Sequence, residues 1–93
     1  MHSPTFVPTY EEAVREVAVR IVAARGFSGK QDELMAEGDE GYAGLYGAAR
    51  RRELAGVSAV AGAVAALYGV GEDDVLADAE EAIDRGWADA VDA

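Results

Sequence analysis

Between Leu54 and Gly71 the chain runs for 18 consecutive residues without a charge. That length just reaches what a membrane span needs, with Arg50, Arg51 and Arg52 before it and Glu72, Asp73 and Asp74 after it as flanks of opposite sign. The composition argues the other way. Only six of the 18 are valine or leucine, while six are alanine and four are glycine. The run therefore reads as a buried helix over 53–68, the centre of the domain, rather than a span. Val57, Val60, Val64 and Leu67 recur at helical spacing as its bulky stripe. Ala55, Ala59, Gly62, Ala63 and Ala66 make a small-residue face expected to lie close against another helix. Gly62→Leu or Ala59→Leu should accordingly disturb the core.

No useful strand-like alternation appears elsewhere; Phe6-Val7 is the only extended candidate. A first helix is expected from Tyr10 to Arg25, with Thr9 as its N-cap and Glu11 and Glu12 at the positive end of its dipole. Tyr10, Val14, Val17, Ala18 and Ile21 share its apolar face, and Gly26 and Gly29 are expected to stop it. A short helix then runs through Leu34 and Met35, followed by a turn near Gly38–Gly41 and a resumed helix towards the arginines. The last helix is placed over 73–91. It carries Val75, Ala79, Ala82, Ile83 and Ala90 on one face and Asp74, Asp78, Glu81 and Arg85 on the other, with a weak point at Gly86 before Trp87. The expected fold is all-α: one domain over 1–93, a small bundle of four or five helices, with residues 1–8 as a mobile tail.

Charge and missing chemistry narrow the function. The net charge is −10, with nine acids against Arg85 in residues 72–93. Free binding to nucleic acid or an anionic membrane is disfavoured, because both reward a basic face. Arg50-Arg51-Arg52 is the expected internal counterweight. There is no cysteine, and the single histidine is His2, which leaves Ser3, Ser28 and Ser58 without a base to activate them. Ser58 is expected to bond back to a helix carbonyl. Gly26-Phe27-Ser28-Gly29-Lys30 lacks the spacing of a phosphate loop, and the acids Asp32, Glu33, Glu37, Asp39 and Glu40 lack calcium-loop phasing. Tyr68 and Glu72 have the spacing of a Tyr-x-x-x-Asp/Glu export signal but fall across a predicted turn. No catalytic residue, metal or cofactor is expected. The N-terminus lacks a signal-peptide pattern, so the expectation is a cytoplasmic protein that is not an enzyme.

The segment Val60 to Val75 has a helix-turn-helix cadence, with Ala65, Gly69 and Val75 at the small, turn and apolar positions. Its second helix is too acidic to approach phosphates. A longer stretch, 54–87, resembles the helical half of peptide-recognition domains of the pyrroloquinoline-quinone peptide chaperone type. Ala66-Leu67-Tyr68-Gly69-Val70, then Asp74-Val75-Leu76-Ala77-Asp78-Ala79 and Ile83, carry the likeness. That family begins with a three-stranded sheet whose edge receives a leader peptide; this sequence has a helix there, which argues against binding by strand addition. The resemblance implies peptide recognition. The resulting expectation is a protein- or peptide-binding module with a basic partner, met by Asp74, Asp78, Glu81 and Arg85. The alternatives are a small acidic inhibitor or DNA mimic, and a structural homo-oligomer, at its simplest a homodimer, built on the small-residue face.

Overall fold

Thr9 caps the first helix in the position that the sequence predicts. Its hydroxyl accepts the Glu12 N–H at 3.2 Å and the Glu12 carboxylate accepts the Thr9 N–H at 3.1 Å, a reciprocal capping box. The computed structural model describes residues 8–86 and contains three helices: α1 (Tyr10–Ala36), α2 (Glu40–Tyr68) and α3 (Glu72–Asp84). The all-α class holds among the described residues. The count of four or five helices does not, because α1 continues through Gly26 and Gly29 and α2 through Gly41, Gly44 and Gly47. Each interior glycine weakens a helix by about 1 kcal/mol relative to alanine. Here tertiary packing outweighs that cost: Ala24 and Leu34 of α1 are buried, and so are Ala43 and Gly47 of α2.

The two long helices form an antiparallel hairpin. Phe27 packs on Tyr46, with ring centroids 6.3 Å apart, and further along Arg20 reaches Glu53 at 3.6 Å. At Gly47 the helices come so close that a β-carbon would fall 2.6 Å from the Gln31 side-chain nitrogen. The connection is only three residues, Glu37 to Asp39. Asp39 caps α2 by accepting the Tyr42 N–H at 3.2 Å, so the turn lies slightly before the expected Gly38–Gly41.

Helix α3 crosses the hairpin. It leaves α2 at 112° after Gly69-Val70-Gly71, and Gly69 takes the left-handed conformation (φ 67°) that other residues adopt only under strain. Of the positions in the expected helix-turn-helix cadence, Ala65 is partly buried and Val75 fully so. Helix α3 ends at Asp84, close to the weak point expected at Gly86. The expected positions Trp87 and Ala90 lie outside the described residues, as do Phe6-Val7 and all of the expected N-terminal tail except Pro8.

The core is assembled from Val14, Val17, Ala18 and Ile21 of α1, Val57, Ala61 and Val64 of α2, and Val75 and Ala79 of α3. The central-helix expectation needs correction here. Helix 53–68 is the second half of α2, and it buries only Val57, Ala61 and Val64. Ala55, Ala59, Ala63, Ala66 and Leu67 face outward, so substitutions at Ala59 do not enter the core. Among the described residues no single helix is long and apolar enough to cross a membrane; α2 and α3 together are, by length and composition, only across their 112° bend.

Candidate functional site

The first turn of α1, the last turn of α2 and the middle of α3 meet at two tyrosines. Tyr10 and Tyr68 pack edge to face with centroids 5.5 Å apart. The Tyr68 hydroxyl donates to the Pro8 carbonyl, tying down the residue before the cap. The Tyr10 hydroxyl donates to Asp78 Oδ2 at 2.5 Å. This bond, together with burial and the nearby negative charge of Asp78 and Asp74, pushes the Tyr10 phenol up to about 12.

Beside this junction a groove of about 430 Å³ opens between α1 and α3. Tyr10, Val14 and Ala82 supply its apolar surface, and Glu11, Asp78, Glu81 and Arg85 its charges. The geometry follows from local sequence. Tyr10, Glu11 and Val14 lie within the first two turns of α1, which the capping box at Thr9 orients. Asp78, Glu81, Ala82 and Arg85 recur at three- and four-residue steps along α3, the spacing that stacks side chains on one helix face. Nearby, hydrogen bonds from Thr9 hold the Glu12 carboxyl below the ordinary carboxylate range, with Arg15 adding to the effect.

Of the four site residues expected from sequence, Asp78, Glu81 and Arg85 converge on this groove, whereas Asp74 is exposed outside it. Asp78 does not simply point to solvent as the helix pattern suggests; Tyr10 holds it. Glu81 and Arg85 are exposed and stand 4.0 Å apart. The sequence reading missed Glu11 and Val14 as groove residues, and it placed Tyr10 only on the apolar face of α1. A contact between residues 68 positions apart leaves no trace in helical spacing.

Two further expectations change. The counterweight to α3 is Arg25, whose guanidinium contacts both Glu80 oxygens at 2.6 and 2.7 Å. Among the described residues no ion pair reaches Arg50, Arg51 or Arg52; Arg50 borders a cleft with Leu76 and Glu80 of α3, and Arg51 and Arg52 are exposed. Ser58 does not bond back to its helix; its hydroxyl donates to Glu72 at 3.4 Å. Among the described residues no three His, Asp or Glu side chains converge on a point that would hold a metal ion. Comparisons with family models, with curated proteins and with solved structures find no match to this chain.

Proposed function

We propose that this chain is a non-enzymatic protein- or peptide-binding module that receives a basic segment of its partner in the groove between α1 and α3. The observation that carries this reading is the groove itself: three carboxylates, from Glu11, Asp78 and Glu81, ring an apolar floor of Tyr10, Val14 and Ala82. A lysine or arginine side chain fits that pattern, with its alkyl stem on Val14 and Ala82 and its charged head among the carboxylates. Arg85 at the rim adds a donor for a backbone carbonyl of the incoming segment. The Tyr10–Asp78 bond supports the reading further, since it holds one of the three acceptors in place before binding and lowers the ordering cost. Asp32 and Glu33, expected in an acidic turn, lie instead near the end of α1, exposed and outside the groove. The net charge of −10 favours encounter with a basic partner.

Selection from a random peptide display library tests the proposal. Enriched peptides should carry a lysine or arginine beside an apolar residue and should lose binding to Glu11→Lys and Glu81→Lys, but keep it with Asp32→Lys. Enrichment without a basic residue, or binding indifferent to both groove variants, overturns it. Recognition of a protein's nucleic-acid-binding surface, with affinity falling steeply in salt and independent of the groove, would instead support the acidic mimic.

A further inference from the structure

Among the described residues nothing covers the outer face of α2. Ala48, Ala55, Ala59 and Ala66 are exposed along it at steps of seven, four and seven residues, which keeps them on one line of the helix. Leu45, Leu67 and Val70 stand 63%, 61% and 39% exposed at the two ends of one border. The other border is charged. Arg51 shares it with Ser58 and Gly62, seven and eleven residues on. The Glu72 carboxylate folds back onto the same border, 3.4 Å from the Ser58 hydroxyl and 3.7 Å from where a Gly62 β-carbon would stand. Arg51 is exposed with no ion pair among the described residues, about 15 Å along the axis from that carboxylate at 1.5 Å per residue.

We propose that this face binds a second copy of the chain, α2 against α2, antiparallel, about a two-fold axis passing between Ala55 and Ala59. Such an axis reverses position along the helix while keeping each border on its own side. It sets Ala55 against Ala59 of the second copy and Ala48 against Ala66, so that the two backbones approach closely. On the apolar border it brings Leu45 to Leu67 and Val70 of the second copy. On the charged border it brings Arg51 to Glu72 of the second copy, at both ends at once. One symmetry operation satisfies both borders, and this self-complementarity singles out a second copy over an unrelated partner. No residue of α2 lines the groove between α1 and α3, so the dimer stands or falls independently of the binding function proposed above. The face offers about 40 Å of helix, near the lower end of specific interfaces, so dimerisation should follow concentration over the micromolar range.

Sedimentation equilibrium of the full chain from micromolar to millimolar concentration tests the proposal. The mass should rise from one copy to two. Arg51→Glu should weaken the dimer about tenfold or more, and so should Glu72→Lys. An equimolar mixture of the two variants should recover a heterodimer, because opposite charges then face each other at both ends. Glu72 also opens α3, so helicity is followed by circular dichroism. Ala59→Glu, at an exposed site away from α3, should break the dimer without touching that helix. A chain that stays single throughout overturns the proposal. A dimer indifferent to Arg51→Glu or to Ala59→Glu also overturns it, as does a mixture of folded variants that forms no heterodimer.

Discussion

The Tyr10 hydroxyl donates a 2.5 Å hydrogen bond to the Asp78 carboxylate, joining the first turn of α1 to the middle of α3 across 68 positions of chain. The bond is partly buried and its acceptor is charged, and such bonds contribute about 1–2 kcal/mol in this setting. Tyr10→Phe should lower stability by about that amount in urea denaturation, and Asp78→Ala should cost little more once Tyr10 is already Phe. Additive losses in that cycle would mean the two side chains act separately.

The same bond makes a prediction about pH. The folded-state pKa of Tyr10 is raised to about 12 from an ordinary value near 10. A group raised on folding contributes its full stabilisation below the unfolded pKa and loses it as pH climbs through the folded one. Stability should therefore decline between about pH 10 and pH 12, and the decline should be smaller in Tyr10→Phe. Ultraviolet absorbance of tyrosinate in the wild type should show a component with its midpoint near 12 that is missing from that variant.

At the N-terminus of α1, Thr9→Ala removes one half of the capping box and should cost about 1 kcal/mol. It should also let the Glu12 carboxyl rise part of the way towards the ordinary range, since alanine keeps the backbone N–H that lowers it most and loses only the hydroxyl. In the wild type this contribution is present above the ordinary carboxylate pKa and is lost as pH falls through the depressed one. An NMR titration of Glu12 unaltered by Thr9→Ala would contradict the capping geometry.

Packing against α2 is tested by a contrast of neighbours. Ala61 is fully buried, whereas Ala59 is exposed. Ala61→Leu should destabilise by about 1–3 kcal/mol, since extra methylenes must be forced into a filled core. Ala59→Leu should stay within about 0.5 kcal/mol in the dissociated chain at low concentration. Equal losses at both sites would mean that the outer face of α2 is covered by its own fold.

Glycines inside α1 should behave unlike the glycine of the α2–α3 turn. Nothing lies within 4 Å of a β-carbon built at Gly26 or Gly29, so alanine at either should stabilise by about 0.5–1 kcal/mol. Gly69, at φ 67°, should instead lose about 1 kcal/mol as alanine. Thermal unfolding of the three variants reads the sign directly.

Much of this arrangement is legible in the residues alone. The cap at Thr9, the apolar stripe from Tyr10 to Ile21, the turn at Gly69-Val70-Gly71 and the buried edge of Val75, Ala79 and Ala82 all follow from local rules. Periodicity and capping act over one or two turns of helix, within reach of the residues that carry them. The same local rules mislead at Gly26 and Gly29, where they end the first helix, whereas contacts of Phe27 and Gln31 with α2 accompany an α1 that stays whole.

What only the tertiary structure decided is which side of an apolar helix turns inward and which charges meet. The run Leu54–Gly71 is apolar or small nearly all round, so its composition gives no preferred inner face. Contact with α1 and α3 selects Val57, Ala61 and Val64 and leaves Ala55 and Ala59 outside. Arg25 rather than the triple arginine forms the ion pair to α3, and Tyr10 rather than water meets Asp78. Those pairings depend on the 112° crossing of α3, an angle set by how several side chains from three helices fill one space together. Spacing along a single helix carries no information about that shared volume.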